Sequence, residues 1–224
     1  MTFGEYKSVD DHTLILLDTR NKINDLCGNE WTMEKDPTYV GGGGVLVDQI
    51  FQTPFGKLTG NPNKTVEYFL KFTGPNNWKD WIVGYGTSND SGSFYPYINQ
   101  ICGVGRSGNI DSSSATTTEY FRVLNNQDSY WYDKWFHVAG TYDGSVARLF
   151  VDGKLILYRN QSYSHGSTPF YIGYCTHWQI GRQNGDFAVA YPKVSDICRY
   201  TENFISPKLL DYGGTLSSNL KVGD

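Results

Sequence analysis

In places along this chain hydrophobic residues recur at every second position, the period of a β-strand. In Val66-Glu67-Tyr68-Phe69-Leu70-Lys71-Phe72, positions 66, 68, 70 and 72 share one face, and Glu67, Phe69 and Lys71 share the other. That alternation predicts a strand with one buried and one partly solvated side. Leu149-Phe150-Val151-Asp152-Gly153-Lys154-Leu155-Ile156 carries the strongest local signal. An Asp-Gly pair between apolar β-formers marks a tight hairpin, because both turn residues must take positive φ. A second turn cue lies at Tyr142-Asp143-Gly144-Ser145. Residues 135–142, 146–152 and 154–158 therefore read as three consecutive antiparallel strands. Further strands are predicted over 13–17, 45–51, 80–86, 95–104, 119–124, 178–182 and 187–200. Pro192 demands an edge position or a bulge in the last of these, since it cannot donate to a ladder.

No stretch of ten or more residues shows a clean 3.6-residue period. The best helical candidate, 202–210, is interrupted by Pro207. The connections, at 39–44, 74–77, 88–93, 107–118 and 160–168, are rich in Gly, Asn and Ser, and none has the length of a domain linker. Many short strands between such turns predict an all-β fold, a two-sheet antiparallel jelly-roll sandwich. One domain over residues 1–210 and a polar tail over 211–224 follow, with no internal repeat.

Composition supports this class and trims the functions. The chain has 224 residues, with 17 Tyr, 12 Phe and 6 Trp, and aromatics make up 16%. Rings of that number fill the core between two sheets. Lys and Arg total 19 against 23 Asp and Glu, for a net charge of −4. Without basic clusters, no nucleic-acid partner is expected. The longest apolar run, Leu14 to Leu17, is far shorter than the ~20 residues of a membrane span, so no membrane insertion is expected. Residues 1–11 contain Glu5, Asp10 and Asp11 and have neither a basic nor an apolar leader region, so no signal peptide is expected.

Three segments resemble the concanavalin A-like, laminin G-like jelly-roll family. The first, Trp135-Phe136-His137-Val138-Ala139-Gly140-Thr141-Tyr142-Asp143-Gly144 with Leu149-Phe150-Val151-Asp152-Gly153, is similar to that family's central hairpins. The second, Asn63-Lys64-Thr65-Val66-Glu67-Tyr68-Phe69-Leu70-Lys71, resembles a family strand in which Trp is usual at the place of Phe69. The third runs from Ile180-Gly181 through 194–199 to Arg199-Tyr200-Thr201-Glu202-Asn203-Phe204-Ile205-Ser206-Pro207. This ending resembles phage virion proteins, tail fibres among them, as does the opening Asp11-His12-Thr13-Leu14-Ile15-Leu16-Leu17. The chain departs from the family after Val45-Leu46-Val47, where Asp48 is followed by Gln49 and Ile50 rather than by a Gly turn. The resemblance implies a virion protein, assembled in the host cytoplasm, whose partners are cell-surface glycans or other virion subunits, with homo-oligomers among the expected states. Some relatives hold a structural calcium; Asp25, Asn29, Asp48 and Asp196 could offer oxygens, though loop acids more often cap turns. No other cofactor is expected.

The fold hosts enzymes as well as binding modules, so the chemistry has to come from the residues. Gly103-Val104-Gly105-Arg106-Ser107-Gly108 has dinucleotide-loop spacing, but a polar stretch follows it where a helix is required. Glycosidases need two acids across the scissile bond. The six Glu (5, 30, 34, 67, 119 and 202) include no alternating acid pattern; Glu30, Glu34 and Asp36 come nearest, and Pro37 follows. His12, His137, His165 and His177 show no metal-ligand spacing, and no G-x-S-x-G elbow is present. His137 is expected to be a structural residue inside a strand. Cys27, Cys102, Cys175 and Cys198 form no C-x-x-C pair; buried thiols are favoured, with a Cys175–Cys198 bridge as the alternative. No catalytic residues and no metal ligands are therefore assigned, and the chain reads as non-enzymatic.

Recognition at the surface remains. Asn76-Asn77-Trp78-Lys79-Asp80-Trp81 and Asp128-Ser129-Tyr130-Trp131-Tyr132-Asp133 set aromatics among amides and acids. Sugar rings stack an apolar face on such aromatics while amides and acids bond the hydroxyls. Trp81 and Trp135 fall in strand patterns and read as core. Asn77, Trp78, Asp128, Tyr130, Trp131, Tyr132 and His177 are the ligand-binding candidates. The alternative is that these aromatics pack the sandwich or a subunit interface.

Overall fold

The computed structural model describes residues 7–54, 58, 63–73, 81–85, 94, 96–98, 102–104, 134–160, 169–175 and 187–209. Fifteen strands are formed among them: β1 (Thr13–Asp18), β2 (Asn24–Asp25), β3 (Thr32–Met33), β4 (Tyr39–Val40), β5 (Gly44–Leu46), β6 (Phe51–Thr53), β7 (Lys64–Phe72), β8 (Trp81–Tyr85), β9 (Pro96–Ile98), β10 (Cys102–Val104), β11 (Phe136–Tyr142), β12 (Val146–Val151), β13 (Lys154–Asn160), β14 (Phe170–Cys175) and β15 (Phe187–Ser195). Every pairing is antiparallel. The larger sheet runs β13-β12-β11-β7-β15-β1-β2, with β5 also on β15 and β4 on β5; a smaller sheet runs β3-β6-β14-β8, and β9 pairs with β10. The alternating apolar face of β7 turns inward. Val66, Tyr68 and Leu70 share one core with Phe51, Val83, Tyr85, Phe170 and Ile172 of the smaller sheet. The predicted two-sheet sandwich is therefore the observed architecture.

The Asp-Gly hairpin forms as its chemistry requires, with Asp152 at φ 47° and Gly153 at φ 78°. Pro192 marks a bulge. The β15–β7 register shifts between Ala190 and Lys193, and Tyr191 takes φ 49°. At that bulge β15 changes neighbour, pairing with β5 at Ala188–Val189 and with β1 at Lys193–Ser195. Thr19 fills the junction: its hydroxyl donates to the Gly43 carbonyl at 2.6 Å and accepts the Tyr191 N–H at 3.2 Å.

Several predicted boundaries move. The strand expected over 45–51 is two, because residues 47–50 turn and Gln49 bonds sideways to Glu34 and Lys35. The strand over 95–104 folds back on itself as β9 and β10. β14 was not anticipated, nor were the two-residue strands β2, β3 and β4. No helix forms over the described part of 202–210. The strands expected over 119–124 and 178–182 lie outside the described residues.

The outer face of the larger sheet is not the partly solvated surface its alternation suggested. Thr65, Glu67 and Phe69 are all buried there. Residues 196–209 leave β15 and strap across this face. Tyr200 and Phe204 stack with centroids 3.7 Å apart, and Phe204 meets Phe150 edge-on at 5.4 Å. Asn203 Oδ1 accepts the Leu155 N–H at 2.8 Å, and the Phe204 N–H donates to Gly153 O at 2.9 Å. Arg199 ties the strap back, reaching both Asp10 carboxylate oxygens at 2.8 Å and Ser195 Oγ at 2.6 Å.

At the opposite edge of the core, Lys64 is fully buried on the inner face of β7. Its Nζ lies 4.7 Å from the Tyr142 ring centroid and 5.4 Å from that of Phe94. Cation–π attraction offsets only part of the desolvation, and burial pushes the amine down to about 7. Between pH 7 and 10 the unfolded chain holds a proton that the folded chain has released, so stability rises with pH across that window. Below it both states are protonated and this slope vanishes. Lys64→Met should flatten the rise, read from urea midpoints at pH 7, 8.5 and 10.

Candidate functional site

The sequence-predicted contact segments connect strands whose own ends are paired. In the larger sheet Phe72 pairs with Phe187 and Leu70 with Phe136. In the smaller sheet Trp81 pairs with Cys175. The stretch holding Asn77 and Trp78 runs from the end of β7 to the start of β8, and the stretch holding His177 runs from the end of β14 to the start of β15. The stretch holding Asp128, Tyr130, Trp131 and Tyr132 leads into β11, which neighbours β7. All seven candidates themselves lie outside the described residues.

Trp135, expected in the core, lies outside it. It is half-buried on the outer face of the larger sheet, against Phe69, Ala190 and Tyr191. Its Nε1 donates to Gly41 O at 3.1 Å, and Lys71 Nζ stands 6.0 Å from its ring centroid. A Cβ at Gly42 or Gly44 would collide with the indole. The run Gly41 to Gly44 is thus a flat seat for a tryptophan. In the sequence that run reads only as a loop.

A second feature was not anticipated. A depression of about 220 Å³ opens beside the edge strand β3, lined by Thr32, Met33, Glu34, Ile50 and Gln52. β3 pairs with β6 through Thr32–Gln52 and Met33–Phe51, which brings two stretches of distant sequence together. Gln49, 1% exposed, fastens the rim. Its Oε1 accepts the N–H groups of Glu34 and Lys35 at 3.0 and 2.9 Å, and its Nε2 donates to Lys35 O at 2.9 Å. Lys35 closes onto Asp48 at 2.7 Å. Glu30, Glu34 and Asp36 are exposed. Of these three acids, Glu34 lines the depression.

Of the possible calcium ligands, Asp25 and Asn29 touch each other, and Asp25 already accepts from Cys27 N at 2.8 Å, Asn29 Nδ2 at 2.9 Å and Trp31 Nε1 at 3.0 Å. Asp48 is engaged by Lys35, and Asp196 Oδ1 lies 2.9 Å from His12 Nδ1. Among the described residues no group of three or more His, Cys, Asp or Glu could hold a metal. Cys198 is a free thiol beside the Tyr200 carbonyl, at 3.4 Å, so the Cys175–Cys198 bridge is not formed. Gly103 and Val104 of the glycine-spaced loop belong to strand β10, and the rest of that loop lies outside the described residues.

His137 is structural, as expected from its strand position. It is buried, with Nε2 3.2 Å from Glu67 Oε2, and its ring packs between Phe69 and Phe204. Tyr200 donates to the same Glu67 oxygen at 3.0 Å. Burial, then the Glu67 charge, raises the Tyr200 hydroxyl well above its ordinary range, so it stays a donor. Lys193 stands opposite Glu67 across the β15–β7 ladder, and burial lowers its pKa. This cluster is sealed beneath the strap and offers no open reaction site.

A laminin G-type family model, described as the concanavalin A-like lectin/glucanases superfamily, matches residues 43–190. The chain belongs to this superfamily. Its members' two-sheet fold accounts for both sheets and for the central hairpins. Among curated proteins none matches the chain. Solved structures of similar fold include the binding domain of Paraclostridial Mosquitocidal Protein 1, with TM-score 0.62 and 11% identity over 85% of this chain and 50% of that one. The botulinum neurotoxin serotype D ligand binding domain, solved with N-acetylneuraminic acid, gives TM-score 0.56 and 12% identity over 87% and 50%. Domain 4 of AbnA, a GH43 extracellular arabinanase of Geobacillus stearothermophilus solved with arabinotriose, gives 0.58 and 12% over 84% and 93%. The chain spans about half the length of the two toxin structures. At these identities the likeness is one of fold.

Proposed function

We propose that this superfamily member is a non-catalytic, lectin-like module that binds glycans on a cell surface. The supporting observation is the arrangement of strand ends. Stretches rich in aromatics and amides depart from paired neighbours, Phe72 with Phe187 and Trp81 with Cys175, in a fold whose neighbours were solved with sugars bound. Asn77, Trp78, Asp128, Tyr130, Trp131, Tyr132 and His177 are the proposed contacts. Aromatic faces stack on sugar rings, and truncating such an anchor removes a large share of binding energy. Trp131→Ala should weaken glycan binding about tenfold or more with an unchanged melting temperature, measured by calorimetry on the first glycan found on an array. Unchanged binding would remove Trp131 from the site.

The setting we propose is a virion surface, on the strength of the Arg199-to-Pro207 ending and its resemblance to phage virion proteins. An antibody against the chain should label intact particles. No array signal at millimolar sugar, combined with oligomers in solution, would instead favour a subunit that docks on other virion proteins.

A further inference from the structure

We propose that the depression beside β3 is a subsite for a neutral sugar, separate from the strand-end contacts proposed above. The inference rests on the glycan-binding reading and adds to it a place and a ligand class. The cavity, about 220 Å³, is smaller than the ~300–1,000 Å³ typical of drug-sized ligands and suits a single sugar unit of a longer chain. Met33, 41% exposed, and Ile50 supply apolar surface for one ring face. Glu34, Gln52 and Thr32 supply polar groups around it. A carboxylate only accepts, so a sugar hydroxyl would donate to Glu34 in a short charge-assisted bond, while the Gln52 amide both donates and accepts.

The site is held in advance of any ligand. The β3–β6 pairing fixes Thr32 and Gln52 opposite each other, and Thr32 Oγ1 donates to Gln52 O at 3.3 Å. The three hydrogen bonds from Gln49 fix the main chain at Glu34 and Lys35. Little ordering cost remains for binding. Charge sets the ligand class. Glu34 lines the depression and Glu30 and Asp36 are exposed close by in sequence, while the adjacent cation, Lys35, is engaged by Asp48. A carboxylated sugar would meet repulsion there without a counter-charge.

The test uses the full chain, an array of neutral and sialylated glycans, and titration calorimetry with the strongest neutral ligand. Glu34→Ala and Gln52→Ala should each weaken neutral-glycan binding about five- to tenfold. Both side chains are exposed, so the melting temperature should stay within a degree or two. Glu34→Lys should abolish the preference for neutral over sialylated glycans. Unchanged affinity in all three variants, with binding lost in Trp131→Ala, would overturn this subsite and leave the glycan-binding reading standing. A chain that binds only acidic glycans would also overturn the subsite alone. A chain that binds no glycan would overturn both.

Discussion

Glu67→Ala should cost about 3–5 kcal/mol of folding free energy, the loss expected when one partner of a buried ionic cluster is removed. Glu67 is 1% exposed at the middle of β7. On one side His137 Nε2 lies 3.2 Å away, on the strap side Tyr200 donates at 3.0 Å, and Lys193 sits opposite across the ladder, 2% exposed. Deleting the carboxylate removes the acceptor of the Tyr200 hydroxyl and the negative charge that faces the buried lysine. Tyr200→Phe, which removes only one hydroxyl, should cost about 1–2 kcal/mol. The two effects should not add, because they share the same oxygen. Urea unfolding of the two single variants and the double variant measures the coupling. A loss under about 1 kcal/mol in Glu67→Ala would mean that water reaches the cluster and that the strap does not seal it.

That cluster also shows where sequence reading stops. Alternation in residues 66–72 placed β7 and its inward face correctly, because a period of two is a local property of the chain. The Asp152-Gly153 turn was equally legible, since positive φ at two adjacent positions leaves few residue choices. The identity of what covers Glu67 was not. Tyr200 and Phe204 reach it from more than 130 residues away, as the Tyr200–Glu67 separation of 133 shows. No local rule reports such a contact. The Arg199-to-Pro207 ending drew attention as a family resemblance, but its physical task is to cover the outer sheet face. β14 escaped notice because Gly173 interrupts its pattern at a bulge between Ile172 and Tyr174. The Thr32–Gln52 depression escaped because its two sides lie in different stretches. The local cue is the acid spacing at Glu30, Glu34 and Asp36, which by itself suggests only a catalytic pair.

Gly173→Ala joins stability to that depression and should be among the most damaging small substitutions in the smaller sheet. Gly173 sits at φ 84°, where an L-residue costs about 1–2 kcal/mol. Space is also lacking: an added Cβ would stand 2.5 Å from the Gln49 carbonyl oxygen and 2.5 Å from Val47 Cγ1. Main chain cannot swing aside as a side-chain tip can, so overpacking adds about 1–3 kcal/mol. The displaced residue is Gln49, whose side chain fastens Glu34 and Lys35 at the rim. Gly28→Ala provides the control. It has nearly the same backbone angle, φ 79°, with nothing within 4 Å of the added carbon. Its cost should be the conformational part alone, and the difference between the two variants measures the clash. Urea midpoints should therefore fall clearly further for Gly173→Ala than for Gly28→Ala. Amide exchange at Glu34 and Lys35 should quicken only in the former. Equal midpoints would show that the Val47-to-Gln49 turn yields to the added carbon at no cost, and that the rim is not held in advance by β14.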